Sequence, residues 1–228
     1  MVVEPTREVE KQLLEEIQRR GGRILAAVDE VGRGSLAGPV CVGIALIDET
    51  TSDAVPEGLR DSKLLSHHQR EVMYDAVRAW PLAVESGMAS SEVIDEVGIV
   101  EALRRAAGDA LKKLADKGFV PDAVLLDGNH DWWNAVSLLY LPDVLPPLPV
   151  TTVVKGDTAC SAIAAASVVA KVDRDTYMEV LDADYPLYGW VRNKGYSSNE
   201  HIEALAKYGV SPYHRVSWKL PGVKKLDV

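Results

Sequence analysis

The feature that most constrains the fold is an apolar run that ends abruptly in two acids. Residues 24–28 carry small or branched apolar side chains, and Asp29 and Glu30 follow them at once. This pattern is typical of a buried strand whose last residues emerge at the edge of a sheet, where functional groups commonly lie. Asp29 and Glu30 are therefore the first candidates for catalytic chemistry.

A glycine-rich turn follows these acids. Gly32 and Gly34 let the backbone adopt unusual angles and approach a ligand closely, and Arg33 offers a planar set of donors that suits phosphate. A dinucleotide-binding loop would require a helix directly after the turn. Residues 39–47 are instead branched and apolar. The sequence therefore predicts a strand–turn–strand unit.

Acids at the ends of strands recur later in the chain. The apolar run 123–126 ends at Asp127, and a strand predicted over 150–154 leads through Lys155 and Gly156 to Asp157. We predict that a long helix begins near Asp157, and the alternative interpretation of this residue is a simple helix N-cap. The pattern nevertheless favours an acid delivered by a strand end, as for Asp127.

Asp175 competes with Asp157 for a place in the same site. In one continuous helix the two acids would lie about 27 Å apart, so both cannot serve. We favour Asp157 because it follows a strand end, and we predict that Asp175 pairs with Arg174 or Lys171.

Strands alternate with helices along the chain, which predicts an α/β fold with a mixed central sheet flanked by helices. A third strand is predicted over 81–88. Helices are predicted over 8–17, 66–80, 100–117, from about 157 onward, and over about 200–208, with short helical structure from Ser91.

Composition limits the class of protein. The chain has 228 residues, a net charge of −9 and no apolar run long enough to span a membrane. The start runs directly into a charged helix without a leader pattern, which favours the cytoplasm. Cys41 and Cys160 lie among small apolar neighbours and are predicted to be buried thiols. The acidic charge argues against binding nucleic acid by bulk electrostatics and predicts weak, salt-sensitive binding.

Several motifs together carry a resemblance to a known family. The longest is Asp-Glu-Val-Gly-Arg-Gly-Ser-Leu-Ala-Gly-Pro at 29–39. The others are Asp-Ser-Lys at 61–63, Leu-Asp-Gly at 126–128, Lys-Gly-Asp at 155–157 with the alanine-rich segment 165–172, and Lys-Gly-Tyr at 194–196 with His214 and Arg215. Over nearly its whole length the chain resembles type 2 ribonuclease H, the ribonuclease HII family.

The resemblance implies a ribonuclease H-like fold with a small C-terminal helical segment, in a single domain over 1–228. The catalytic core would occupy about 20–184 and a substrate-binding segment about 185–228. The implied activity is hydrolysis of the RNA strand of RNA–DNA hybrids, and incision of duplex DNA 5′ to single embedded ribonucleotides. The products would carry 3′-hydroxyl and 5′-phosphate ends.

The implied catalytic and metal-binding residues are Asp29, Glu30, Asp127 and Asp157. Carboxylates without a histidine or cysteine cluster form a hard oxygen site, which suits Mg²⁺ or Mn²⁺ and disfavours zinc. Two such ions would need no protein nucleophile. Neighbouring residues of a strand point to opposite faces, so we expect Glu30 to lie where the strand bends into the turn.

The implied substrate-binding residues are Gly32, Arg33, Gly34, Lys63 and Tyr196. The turn and Tyr196 would sense the 2′-hydroxyl that distinguishes RNA from DNA, and Lys63 would contact phosphate. Judged without the resemblance, Lys63 is a solvated loop lysine and Tyr196 an ordinary packed tyrosine.

Other features carry weaker expectations. Trp132 and Trp133 are predicted to be core or loop anchors, with a base-stacking platform as the alternative. The tail from Lys219 lacks the aromatic pair of a clamp-binding peptide, no membrane partner is expected, and a monomer is predicted. Two rival functions remain: a metal-dependent phosphatase or nuclease with another substrate, and a non-catalytic nucleic-acid-binding module.

Overall fold

The computed structural model describes residues 4–59, 67–135 and 144–223. One sheet contains β1 (Leu25–Val31), β2 (Val40–Ile47), β3 (Ala83–Ala89), β4 (Ala123–Asp127) and β5 (Val150–Val153), in the spatial order β3-β2-β1-β4-β5. The first three strands pair antiparallel, whereas β1 with β4 and β4 with β5 pair in parallel. The predicted mixed sheet is confirmed.

Helices flank this sheet, which confirms the predicted α/β fold class. They are α1 (Glu8–Arg19), α2 (His67–Ala79), α3 (Ser91–Asp116), α4 (Gly156–Ala159), α5 (Ser161–Asp184), α6 (Trp190–Asn193) and α7 (Asn199–Tyr208), with a 3₁₀ turn at Pro186–Tyr188. Within the described ranges, none of these helices is long and apolar enough to cross a membrane.

The two faces of the sheet bury different partners because side chains alternate along each strand. Val28 and Val42 belong to the apolar cluster that includes α3 residues and the two tryptophans. Ala27 and Ala45 face the other way, toward α5. A side chain at Gly43 would overlap the backbone of Ala166, so this glycine lets α5 lie directly on β2.

One helix prediction is confirmed and another needs correction. The short helix predicted from Ser91 is present, where the Ser90 hydroxyl accepts from the Val93 N–H, and a non-helical Gly98 (φ 79°) separates it from the predicted helix over 100–117 within α3. The helix predicted to run on from Asp157 is two helices, because Cys160 is extended (φ −118°, ψ 123°) between α4 and α5. The premise of a continuous helix from Asp157 to Asp175 was therefore wrong.

The tryptophan pair is a core anchor. The side chains of Trp132 and Trp133 are 1% and 0% exposed and pack with the α3 face of the sheet. The carbonyl of Trp133 accepts from Arg104, and its indole donates to the Pro146 carbonyl at 3.0 Å. The core interpretation is confirmed, and this burial leaves no ring surface for base stacking.

Both cysteines are buried free thiols, as predicted. Burial raises the pKa of Cys41 and of Cys160 to about 12. Neither thiol is therefore a nucleophile near neutral pH.

Candidate active site

Three of the predicted acids converge at one edge of the sheet. Because β1 and β4 are parallel with Val28 opposite Leu126, their ends bring Asp29 and Asp127 side by side. Asp157 lies in the first turn of α4. One carboxylate oxygen from each of these acids lies within 4.8 Å of the others. Asp29 and Asp127 are thus close enough to share an ion.

Local backbone geometry brings Asp157 to this edge. Asp127 pairs with Val153 of β5, and the chain then turns through Lys155, whose φ is 57°. The Gly156 N–H donates to Asp127 Oδ1 at 2.6 Å. A Cβ at position 156 would lie 2.5 Å from Ile163 Cδ1, so a larger residue here would require the end of the Ile163 side chain to shift.

The donor set fits a hard divalent cation. Asp29 and Asp157 are buried and Asp127 is partly exposed, so three like charges crowd a space with restricted access to water. Such a cluster is costly unless protons or cations neutralise it. Carboxylate oxygens are the ligands that hard divalent cations prefer, and these three residues would hold the ion.

Glu30 does not join this cluster. The expected bend is absent, because β1 continues to Val31 and Glu30 pairs with Val42 inside the ladder. Its side chain therefore points to the opposite face from Asp29, where Oε1 accepts from Arg33 at 3.0 Å and Oε2 from the Trp132 indole at 3.3 Å. The expectation that a bend would place Glu30 beside Asp29 was wrong.

Asp175 also lies outside the cluster. It is 2% exposed on α5, where it forms a salt bridge with Lys171 and lies 3.9 Å from Arg70. The predicted pairing with Lys171 is confirmed. The alternative partner, Arg174, instead reaches the glycine-rich turn.

Two fully buried arginines hold the turn that follows the acids. Arg215 donates to the carbonyls of Gly32 (2.7 Å), Arg33 (2.9 Å) and Gly38. Arg174 donates to Pro39 and Ala37 carbonyls, to the Ser35 hydroxyl and to the Lys194 carbonyl. Burial lowers the pKa of Arg215 to about 9, which leaves it charged at neutral pH. Sequence reasoning assigned neither arginine a role in the turn.

Tyr196 lies against this turn. Its hydroxyl accepts from the Gly32 N–H at 3.1 Å, and the guanidinium of Arg174 lies 5.4 Å from the ring centroid. The residue is 38% exposed, so part of the ring faces solvent. The structure thus brings Tyr196 to the turn, 164 residues away in sequence.

Among the other predicted substrate-binding residues, the structure describes Arg33 and Gly34 but not Lys63. Arg33 is exposed and pairs with Glu30. An added Cβ at Gly34 would have no described atom within 4 Å. Lys63 and Ser66, where the second predicted helix begins, lie outside the described residues.

The family model for ribonuclease HII matches residues 26–221. A ribonuclease HII of Streptomyces avermitilis is 44% identical over 214 residues, which cover 94% of this chain and 83% of that protein.

Solved structures show the same architecture. Ribonuclease H2 from Pyrococcus horikoshii is 27% identical with a TM-score of 0.66, covering 86% of this chain and 94% of that one. Ribonuclease HII of Archaeoglobus fulgidus, solved in complex with PCNA, has the same identity and TM-score over 90% of this chain and 98% of that one. The family match spans the acid cluster, the turn and Tyr196, and this chain belongs to the ribonuclease HII family.

Proposed function

We propose that this chain hydrolyses the RNA strand of RNA–DNA hybrids and also incises duplex DNA 5′ to single embedded ribonucleotides, leaving 3′-hydroxyl and 5′-phosphate ends. The observation that carries the proposal is the convergence of Asp29, Asp127 and Asp157 beside a turn bound to Tyr196. Family membership supplies the class of reaction, and the turn supports the choice of substrate.

The acid cluster would hold Mg²⁺ or Mn²⁺ in a two-ion site. When bound, such ions neutralise charge on the scissile phosphate and generate a nucleophilic water without a protein base. Asp29, Asp127 and Asp157 would bind the ions, and Asp127 is oriented for this by the Gly156 N–H. Glu30 stays in the proposed set through the family resemblance alone.

The turn and Tyr196 form the proposed substrate sensor. No atom of the described residues lies within 4 Å of the position that a Gly34 side chain would occupy, which would allow a nucleic-acid backbone to approach it closely. Arg33 is exposed and offers donors to phosphate. The exposed part of the Tyr196 ring is available to stack on a sugar or base. We propose the same phosphate role for Lys63.

The proposed organisation is a single domain, with the catalytic core over about 20–184 and the substrate-binding segment over about 185–228. Tyr196 and Arg215 bond the glycine-rich turn, and Arg174 bonds the Lys194 carbonyl, so these contacts would connect the two proposed parts. The proposed partners are RNA–DNA hybrids and duplex DNA that contains ribonucleotides. We propose that the protein acts on them as a monomer in the cytoplasm, during DNA replication and the repair of embedded ribonucleotides.

Tyr196→Ala is expected to reduce cleavage at a single embedded ribonucleotide more than cleavage of a continuous hybrid. Loss of one stacking ring corresponds to roughly tenfold, and Tyr196→Phe, which loses only the bond from Gly32, should show a smaller change in the same direction. The measurement is the ratio of cleavage rates on a duplex with one ribonucleotide and on a hybrid of the same sequence.

Tyr208→Ala is the matched control, because Tyr208 is a similarly exposed tyrosine on α7 whose described ring contact is with Lys207. An all-DNA duplex tests the rival nuclease or phosphatase, which would act without a 2′-hydroxyl. Equal effects of Tyr196→Ala on both ribonucleotide substrates would refute the sensor assignment. Wild-type protein that binds hybrid but never cleaves it with either metal would favour the binding module.

A further inference from the structure

A pair of buried histidines contacts the backbone of Tyr196. His201 is 0% exposed on α7 and His214 is 1% exposed in the segment after it. Their Nε2 atoms lie 3.0 Å apart. Tyr188 and Trp190 pack around both rings. The proposed mechanism does not use either imidazole.

The contacts at the two ends of the pair fix the direction of its hydrogen bonds. At one end the Ser211 N–H donates to His214 Nδ1 at 2.9 Å, so Nδ1 has no proton and a neutral His214 carries its proton on Nε2. At the other end His201 Nδ1 lies 2.9 Å from the Tyr196 carbonyl, which can only accept. His201 therefore carries its proton on Nδ1 and accepts at Nε2.

The Trp190 indole independently indicates that His201 Nε2 is an acceptor. It donates to His201 Nε2 at 3.2 Å, so that nitrogen must be an acceptor. The whole chain of bonds then runs one way, from Ser211 through His214 and His201 to the Tyr196 carbonyl. A proton added to either ring would set two N–H groups against each other.

Burial keeps both rings neutral. It lowers the pKa of His201, and together with the neighbouring His201 ring it lowers the pKa of His214 to about 4. Because both rings are neutral at neutral pH, the hydrogen bonds hold each imidazole in one tautomer. The Nδ1–H of His201 is therefore a permanent donor to the Tyr196 carbonyl.

We propose that His201 and His214 are positioning residues for Tyr196, forming a one-way relay that fixes the backbone from which its ring reaches the Gly32 turn. Besides His201, the Ser198 N–H donates to the same carbonyl at 2.8 Å, and the Tyr196 hydroxyl accepts from Gly32. Tyr196 is thus held at its hydroxyl by Gly32 and at its backbone carbonyl by His201, and the relay provides the second of these contacts. The inference rests on the sensor role given to Tyr196 above and deepens it.

The test uses two substitutions at His201. His201→Phe keeps a ring of similar size and removes both nitrogens, whereas His201→Asn keeps an N–H near the position of Nδ1 that can still donate to Tyr196. We expect His201→Phe to lower the ratio of single-ribonucleotide to hybrid cleavage by roughly threefold to tenfold, and His201→Asn to restore much of that loss. A merely structural role would lower both cleavage rates together and leave the ratio unchanged.

Combination with Tyr196→Ala separates the relay from the sensor. If His201 acts through Tyr196, adding His201→Phe to Tyr196→Ala should change the ratio no further. A ratio that responds to Tyr196→Ala but not to folded His201→Phe would overturn the relay alone. A ratio that ignores Tyr196→Ala would overturn the sensor assignment and the relay with it.

A measurement on the wild-type protein keeps the inference testable if the variants do not fold. The ¹⁵N chemical shifts of the imidazole nitrogens report which atom carries the proton. We expect a proton on Nδ1 of His201 and on Nε2 of His214 near neutral pH. The opposite tautomer at either residue, or a charged ring, would overturn the relay.

Discussion

Asp127→Asn is expected to abolish cleavage while leaving the metal-free protein folded and at least as stable as wild type. The substitution removes one of three clustered charges, so repulsion within the site falls. An asparagine oxygen can still accept from the Gly156 N–H, which preserves the turn into α4. Loss of a metal-binding charge should reduce the cleavage rate by about a thousandfold or more, equivalent to roughly 4 kcal/mol.

Two measurements test this expectation together. Cleavage of a single-ribonucleotide duplex reports the activity, and thermal unfolding with and without Mn²⁺ reports binding of the ion. Mn²⁺ should stabilise the wild type clearly and Asp127→Asn much less. A variant that unfolds, or that keeps more than a tenth of the wild-type rate, would contradict the role given to Asp127.

Asp175→Asn is the matched comparison for Asp127→Asn. Asp175 is also an acid with little solvent exposure, but it pairs with Lys171 and lies outside the acid cluster. Removing the partner of Lys171 should lower the free energy of unfolding by roughly 3 kcal/mol. The folded fraction should still cleave and still gain stability from Mn²⁺. The two variants thus change stability and activity in opposite ways.

The position of each acid was predictable from sequence because an acid at the end of an apolar strand follows local rules, and the family resemblance implied that the acids share one site. A buried strand ending in an acid places that acid at a sheet edge, and parallel pairing of β1 with β4 brings Asp29 and Asp127 together. The same periodicity explains Glu30, whose position next to Asp29 in a regular strand sends it to the other face. The motif alone could not reveal that β1 stays regular to Val31.

The support behind the site was not predictable because its partners are distant in sequence. Arg174 lies in a helix beside Lys171 and Asp175, where spacing favours a local ion pair, yet it bonds the turn some 135 residues earlier. Arg215 and the histidine pair make similar long-range contacts. The break at Cys160 also lacks the glycine or proline that signals many helix ends.

The two glycines of the turn should respond very differently to alanine. Gly32 has φ 82°, and its added Cβ would lie 2.6 Å from Cζ of Arg174, a guanidinium already fixed by its bonds to the turn. The positive φ and the overlap together should cost about 2–5 kcal/mol. Gly34 has neither problem among the described residues, so Gly34→Ala should change the free energy of unfolding by less than about 1 kcal/mol.

Gly34→Ala should instead weaken substrate binding, because its methyl group would stand in the open space proposed for the nucleic-acid backbone. Urea unfolding of both variants and KM on a single-ribonucleotide duplex check the pair. Equal destabilisation by the two alanines would contradict the packing of Arg174 against Gly32. A stable Gly34→Ala protein with unchanged KM would show that substrate does not approach the turn there, and the sensor would then have to lie with Tyr196 alone.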